Sequence, residues 1–96
     1  MSSEREYADY LEDILDAISK IAKFTVGMTF DQFAKDDKTS YAVIRALEII
    51  GEATKHIPEH VRQKYPKVSW REMAGIRDKL IHDYFGVNLK VVWKTI

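Results

Sequence analysis

Apolar residues recur at intervals of three and four along most of the chain, with charged residues between them. This spacing is typical of amphipathic α-helices, because it places the apolar side chains on one face. Only the short LKVVW segment near the end could form a strand by itself, and no other segment alternates with period two. The pattern therefore predicts an all-α protein, an antiparallel up-and-down bundle of four to five helices.

The first helix is expected to begin after Ser3, where Ser3 and Glu6 can exchange capping hydrogen bonds. Gly27 is the expected stop, since glycine readily adopts the left-handed conformation that ends helices. The predicted core-facing stripe consists of apolar residues three or four apart. These are Tyr7, Leu11, Ile14, Ile18 and Ile21, widened by Tyr10, Leu15 and Ala22.

The TFDQ segment (29–32) forms a second capping box and predicts a short helix through about Ala34. A second long helix is predicted over residues 39–56, with Asp37 as its expected cap. Pro58 breaks this helix and can be the first residue of a short turn with the sequence PEHVRQK. The predicted buried stripe of the long helix is Val43, Ala46, Leu47, Ile50 and Thr54, flanked by Tyr41, Ile44 and Ile49.

The third long helix has the strongest start signal, because the SWREM segment (69–73) combines a capping box with a hydrophobic staple from Val68. This helix is expected to run to about Phe85 and to end at Gly86. Asn88 can cap a last helix, which carries Leu89, Val92, Trp93 and Ile96. Because no stop signal follows, this last helix is expected to be incomplete. The length of 96 residues predicts a single domain over residues 1–96.

Composition narrows the class of protein. The 96 residues include no cysteine, so disulfides and thiolate metal sites are excluded. The N-terminus is acidic and polar rather than a signal peptide, and no apolar run is long enough to span a membrane. These features predict a cytoplasmic protein without a membrane partner. A net charge of zero argues against avid, indiscriminate binding of nucleic acid.

The charge is nevertheless distributed unevenly along the chain. Residues 1–40 carry five basic and nine acidic side chains, whereas residues 55–79 carry seven basic and three acidic ones. One interpretation is two solvated faces of opposite sign. The other is a basic surface near the RDKLIHDY segment (77–84) that attracts phosphate.

RDKLIHDY places an arginine, an aspartate, a histidine and a tyrosine close together on the third helix. At about 100° per residue, Arg77 and Tyr84 fall at the edge of the apolar stripe. Asp78 and His82 fall nearly opposite that stripe, one turn apart, where they can form a hydrogen bond. The predicted stripe is Met73, Ile76, Leu80, Ile81 and Tyr84.

Two interpretations of this segment remain open. In the first, Arg77 extends from the core edge to solvent, His82 is an ordinary exposed side chain, and Tyr84 packs with its hydroxyl at the rim. In the second, a further copy of the chain covers Asp78 and His82, and a groove between the copies collects these groups with their symmetry mates.

Other candidate sites have weaker support. His56 and His60 could bind a metal together with Glu52, but Pro58 interrupts the helix that would align them. No metal site or cofactor site is therefore predicted. Three aromatic side chains could stack on nucleic-acid bases, although in a small core they more often pack. These are Tyr65, Trp70 and Trp93.

The arrangement Arg77-x4-His82-x-Tyr84 resembles the R-x4-6-H-x-Y signature of HEPN domains. The segments YAVIRALEIIGEATKHIP (41–58) and PKVSWREMAGIRDKLIHDYFGVNLKVVW (66–93) resemble the HepT-like toxins of HepT–MntA toxin–antitoxin systems. This resemblance covers nearly the whole chain. It implies a dimeric HEPN-like bundle that acts as a metal-independent endoribonuclease on RNA.

The same resemblance implies a partner, a minimal nucleotidyltransferase antitoxin of the MntA type. This type VII-like antitoxin silences its toxin by transferring AMP onto the signature tyrosine, which corresponds to Tyr84. The signature also implies Arg77 and His82 as catalytic residues. Asp78, one turn from His82, could hold its imidazole in one tautomer or orient Arg77.

Metal-free RNA cleavage is chemically consistent with these residues. The ribose 2′-hydroxyl can attack the adjacent phosphate if one group removes a proton, another supplies one, and a cation stabilises the added charge. A single copy has one histidine in this segment, so two copies would supply both groups. Two alternatives remain: a non-catalytic nucleotide- or RNA-binding module that docks a nucleotidyltransferase, and a purely structural helical dimer.

Overall fold

The computed structural model describes the backbone of residues 6–83 and 89–96, and all side chains of these ranges except those of residues 77–83 and 91. Within these ranges the chain forms six α-helices and no strand. They are α1 (Tyr7–Thr25), α2 (Phe30–Lys35), α3 (Asp37–Lys55), α4 (Glu59–Lys64), α5 (Trp70–Asp83) and α6 (Leu89–Thr95). The predicted all-α class is confirmed. The helix count exceeds the expected four to five, because the segment after Pro58 is a short helix rather than a turn.

The long helix α3 lies at the centre, with α1 and α5 packed against it and α2 in contact with both α3 and α6. The predicted stripe of α3 is confirmed. Its buried residues include Val43, Ala46, Leu47, Ile50 and Thr54. Thr54 satisfies its buried hydroxyl by donating to the carbonyl oxygen of Ile50 at 2.6 Å. Of the flanking residues, Ile44 and Ile49 pack against the core, whereas Tyr41 is exposed.

The start and the buried face of α1 differ from the prediction. The helix begins at Tyr7 after Glu6, whose side chain makes no capping hydrogen bond, and Ser3 lies outside the described residues. The face buried against the core consists of Ile14, Ala17 and Ile21. Leu15 and Ile18 were expected to face the core, but 67% and 48% of their surfaces are exposed. The stripe is therefore rotated towards Ala17, because α1 meets α3 along a narrower face than its apolar residues cover.

The connection between α1 and α2 follows the predicted signals. Gly27 has φ +74°, the left-handed conformation that glycine adopts without steric cost, and α1 ends two residues earlier. At the start of α2, the hydroxyl of Thr29 accepts from the backbone N–H of Gln32 at 3.2 Å. The side-chain oxygen of Gln32 accepts from the backbone N–H of Thr29 at 3.0 Å. The capping box is thus complete.

Asp36, rather than the expected Asp37, caps α3. Its carboxylate accepts from the backbone N–H of Thr39 at 3.1 Å and from the Thr39 hydroxyl at 2.8 Å. These two hydrogen bonds, the backbone one first, lower the pKa of Asp36 below its usual value. Similarly, Pro58 is the residue preceding α4 rather than its first residue.

The last helix closes the core beside α2. Val92 is buried, and the ring of Trp93 lies 5.1 Å from that of Phe33 and 6.3 Å from that of Phe30 between centroids. Phe33 is completely buried. The predicted helix from residue 89 is therefore confirmed, while Asn88, its expected cap, lies outside the described residues.

Among the helices that the structure describes, none combines the length and apolar character needed to cross a bilayer.

Candidate active-site helix and the adjacent cleft

Helix α5 begins at the predicted position. Trp70 is its first residue, and the backbone N–H of Met73 donates to the carbonyl oxygen of Ser69 at 3.0 Å. No hydrogen bond joins the side chains of Ser69 and Glu72 to the helix start in the part of the chain described. Instead, Nε1 of Trp70 donates to the carbonyl oxygen of Tyr65 at 3.0 Å. This bond ties the preceding connector to the first turn of α5.

Three of the four predicted site residues have a described helical backbone. Helix α5 continues through Asp83, so Arg77, Asp78 and His82 all belong to it. Their side chains lie outside what the structure describes. Tyr84, the fourth predicted residue, lies wholly outside it, as do Phe85 and Gly86. The helical register of the site is therefore established, and the convergence of its side chains stays a prediction.

The core contacts of α5 fix which side of the helix carries these positions. Met73 and Ile76 pack against the hydrophobic core. At about 100° per residue, the Cα of His82 lies roughly 180° around the helix axis from that of Met73. The Cα of Asp78 lies almost opposite that of Ile76. Asp78 and His82 are thus on the side of α5 away from the core, and Arg77 is at its edge.

A cleft lies between α4 and the beginning of α5, with a volume of about 450 Å³. It is lined by Glu59, Arg62, Gln63, Trp70, Arg71 and Ala74. Sequence analysis did not identify this cleft, because it joins two helices through residues seven or more positions apart. The excess of basic residues over 55–79 was the available signal, and two of those residues, Arg62 and Arg71, line the cleft.

Arg62 is held in place by the end of α3. Its Nη2 donates to the carbonyl oxygen of Thr54 at 2.7 Å, and its Nε donates to that of Ile57 at 3.0 Å. Both acceptors are neutral backbone groups, so these two hydrogen bonds do not neutralise the positive charge of the guanidinium. The side chain is therefore an ordered cation at one wall of the cleft.

The described residues give no support to a metal site formed by Glu52, His56 and His60. Nε2 of His56 lies 3.6 Å from a carboxylate oxygen of Glu52, but its ring stacks on Tyr10 with centroids 4.5 Å apart. His60 contacts Tyr7 edge-on at 6.3 Å. Among the side chains that the structure describes, which exclude those of residues 77–83, no group of three or more histidines or carboxylates is arranged to hold a metal ion.

The structure separates the three aromatic candidates for base stacking. Trp93 packs against the phenylalanines of α2, the role that an aromatic side chain more often has in a small core. Trp70 is half-buried and lines the cleft. Tyr65 leaves 58% of its surface exposed. Trp70 in the cleft wall and Tyr65 in the preceding connector are thus both accessible to solvent, Trp70 only in part.

Comparison with known proteins identifies close relatives. The sequence model of the family described as ribonuclease HepT-like matches residues 14–96. A protein of Thermococcus cleftensis named "probable ribonuclease HepT" is 56% identical over 93 residues, which cover 97% of this chain and 84% of that protein.

Two further relatives each carry the name "putative RNase". One, from Methanocaldococcus jannaschii, is 50% identical over 97% of this chain and 77% of its own length. The other, from Caldanaerobacter subterraneus subsp. tengcongensis, is 49% identical over 91% of this chain and 78% of its own length. No solved structure matches the chain.

Proposed function

Because the chain belongs to the ribonuclease HepT-like family, we propose that it is an endoribonuclease that cleaves RNA without a metal ion. The observation that carries this proposal is the family match over residues 14–96 together with Arg77 and His82 on one continuous helix, α5. Helical backbone through Asp83 provides the rigid register that a catalytic arginine and histidine need.

The proposed reaction needs no nucleophile from the protein. A base removes the proton of a ribose 2′-hydroxyl, whose oxygen forms a bond to the adjacent phosphorus. The bond from phosphorus to the 5′-oxygen breaks, and an acid gives that oxygen a proton, which leaves a cyclic phosphate and a free 5′-hydroxyl. His82 is proposed for proton transfer and Arg77 for stabilising the added negative charge, since guanidinium binds phosphoryl oxygens in pairs. Asp78, one turn from His82, is proposed to fix its tautomer.

Two proton transfers on opposite sides of a phosphate require two groups, and each chain has one histidine in this segment. We therefore propose that two copies form the active groove. The position of Asp78 and His82 on the side of α5 away from the core supports this, because a second copy can cover that side. The exposed apolar side chains of Leu15 and Ile18 on α1 are further surface that a partner could bury.

The test is cleavage of single-stranded RNA by purified protein with a metal chelator present. We expect cleavage that leaves 2′,3′-cyclic phosphate ends and is abolished by His82→Ala. His60→Ala is the matched control, because His60 is exposed and its ring contacts that of Tyr7 edge-on. Cleavage that persists in His82→Ala, or that needs an added metal ion, would overturn the proposed mechanism.

We further propose that the protein is the toxin of a toxin–antitoxin pair, silenced by a minimal nucleotidyltransferase. In this step the phenol oxygen of Tyr84 attacks the α-phosphorus of ATP, pyrophosphate leaves, and a base on the transferase takes the phenol proton. The attached AMP adds a negative charge and bulk two residues from His82. The support is the signature spacing, in which the tyrosine follows the histidine by two positions.

This silencing is tested by incubating the protein with the transferase and ATP. Tyr84→Phe should keep measurable cleavage but escape modification and inhibition. Tyr41→Phe serves as the control, since Tyr41 is an exposed tyrosine on α3. The transferase should silence this variant as it silences the protein without a substitution. A Tyr84→Phe variant that still gains AMP and loses activity would contradict the assignment.

The cleft between α4 and α5 favours one alternative, a module that binds nucleotide or RNA without cleaving it. Two arginines line this cleft, and its volume is within the range of small-molecule sites, about 300–1,000 Å³. Measuring RNA binding beside RNA cleavage, both with the metal chelator present, separates the two functions. Binding without cleavage would support the module, whereas His82-dependent cleavage would support the ribonuclease.

A further inference from the structure

Cationic and aromatic side chains recur from the end of α4 to the start of α5. We call this group the KY–WR surface; it comprises Lys64, Tyr65, Lys67, Trp70 and Arg71. All except Trp70 are exposed, and Trp70 is half-buried. Basic side chains interleaved with aromatic rings are the combination that binds single-stranded nucleic acid, since cations contact phosphates and rings stack on bases.

Among the described side chains, no carboxylate forms an ion pair with a cation of the KY–WR surface. Ion pairs between described side chains include Lys20–Asp16, Arg45–Glu48 and His56–Glu52. None of the ion pairs in the described part of the chain involves Lys64, Lys67 or Arg71. Their positive charges, with that of Arg62 in the adjacent cleft, are therefore available to a ligand. Glu59 at the cleft wall and the exposed Glu72 in the first turn of α5 are opposing charges.

The backbone beneath this surface is held by short-range hydrogen bonds. The N–H of Tyr65 donates to the carbonyl oxygen of Arg62 at 3.1 Å, and the N–H of Val68 donates to that of Tyr65 at 3.1 Å. The indole of Trp70 donates to the same carbonyl oxygen of Tyr65 at 3.0 Å. Because one carbonyl anchors both the turn and the indole, the aromatic rings project from a defined backbone.

The helical register of α5 connects this surface with the proposed active site. Asp78 and His82 follow Arg71 by seven and eleven residues, so their Cα atoms lie about 20° to either side of that of Arg71 around the helix axis. They lie along one line on the side of α5 away from the core. Eleven residues of helix separate Arg71 from His82 by about 16 Å, a span that a few nucleotides of extended RNA can cover.

We infer that the KY–WR surface and the adjoining cleft form a binding track for single-stranded RNA, which holds the substrate strand a few nucleotides from the cleaved phosphate. This inference rests on the proposed ribonuclease function and extends it. Arg71, Lys64 and Lys67 bind phosphates, and Tyr65 stacks on a base. The net charge of zero is compatible with the track, because the basic excess over residues 55–79 is balanced by an acidic excess over residues 1–40.

The test measures binding separately from cleavage. The probe is a fluorescent single-stranded RNA with 2′-O-methyl riboses, which lacks the nucleophile and cannot be cut by the proposed reaction. Fluorescence anisotropy should show that Lys64→Gln with Lys67→Gln lowers affinity about tenfold. The slope of log affinity against log salt should decrease by about 0.7 for each lost phosphate contact.

The matched control removes two charges elsewhere. Lys23→Gln with Lys35→Gln replaces two exposed lysines of α1 and α2, and should leave affinity within about twofold of the original. Tyr65→Ala should weaken binding about tenfold through lost stacking, whereas Tyr41→Ala, which truncates an exposed tyrosine of α3, should not. Glu59→Gln should tighten binding, because it removes the carboxylate at the cleft wall.

The outcomes separate this inference from the ribonuclease proposal. If the KY–WR variants bind the methylated RNA as tightly as the control pair does, the track is refuted, even if the protein cleaves RNA. If they lose binding while the original sequence fails to cleave the unmodified RNA, the ribonuclease proposal is refuted and the binding surface stands. Loss of binding by the variants, together with a raised KM for the unmodified RNA, supports both.

Discussion

Arg62 on α4 caps the end of α3 by donating a hydrogen bond of 2.7 Å from its guanidinium to the carbonyl oxygen of Thr54. The same carbonyl oxygen also accepts from the backbone N–H of Ile57 at 3.1 Å, and a positive charge at the C-terminal end of a helix interacts favourably with the helix dipole. A second bond of 3.0 Å to the carbonyl oxygen of Ile57 fixes the chain between the two helices. The same side chain thus supports the fold and lines the cleft beside α5.

We expect Arg62→Ala to reduce the free energy of unfolding by about 1–3 kcal/mol, because two backbone acceptors lose a charged donor. Urea denaturation would measure the change. Arg45→Ala is the control: Arg45 forms only a surface ion pair of 3.7 Å with Glu48, worth less than about 1 kcal/mol. Equal losses for the two variants would contradict a special role for Arg62.

Phe33 joins α2 to α6 through its contact with Trp93 and is completely buried. Phe33→Ala should therefore cost about 3–5 kcal/mol, the usual loss when a buried phenylalanine leaves a cavity. Thermal and urea unfolding would show the loss. Phe24→Ala, at a phenylalanine of α1 that is 40% exposed, should cost much less. Similar destabilisation by both would show that α2 and α6 do not depend on this contact.

Asp36 is expected to make stability depend on pH at the acidic end. Its pKa in the folded protein is lowered from the usual 3.8, chiefly by the backbone N–H of Thr39 and then by the Thr39 hydroxyl. The unfolded chain therefore binds the proton more tightly. The stabilising contribution is complete above the unfolded pKa and is lost as the pH falls through the folded pKa.

The Thr39 hydroxyl provides the test of this titration. Thr39→Val keeps the backbone donor and removes the hydroxyl, so the pKa of Asp36 should rise part of the way towards its usual value. Carboxyl carbon NMR shifts recorded against pH would follow it. Thr25→Val is the control, because the Thr25 hydroxyl donates to the carbonyl oxygen of Ile21 and to no carboxylate. An unchanged Asp36 titration in Thr39→Val would refute the hydroxyl contribution.

The local signal was confirmed in full at the start of α2, whereas at the start of α5 the position was right but Ser69 and Glu72 form no capping hydrogen bonds in the described part of the chain. Thr29 and Gln32 formed the expected capping box, because no neighbouring pair offers the same geometry. Asp36 and Asp37 are adjacent carboxylates, and either could cap α3. The backbone conformation of the connector before α3 decides between them, and this conformation cannot be inferred from the amino-acid sequence. Sequence therefore locates such a start within one residue without identifying the cap.

Long-range packing limited the rest of the prediction. The apolar face of α1 is wider than its contact with α3, so the sequence does not determine which part of that face is buried. The contact with α3 buries Ala17 and leaves Ile18 exposed. The cleft beside α5 is lined by Arg62 of α4 and Arg71 of α5, and local spacing does not predict how closely these two helices approach. By contrast, the register of Arg77, Asp78 and His82 followed from helix periodicity alone, and the helix over Trp70–Asp83 confirms it.

The proposed shared groove predicts that activity depends on protein concentration. If each groove needs His82 from two copies, specific activity should fall on dilution as dimers dissociate, and the cleavage rate should approach second order in protein. Sedimentation of the same samples would report the fraction of dimer. An excess of His82→Ala chains should then suppress the original sequence by forming mixed dimers, while an excess of His60→Ala chains should not. Constant specific activity in samples that sediment as monomers would show that a single chain holds the complete site.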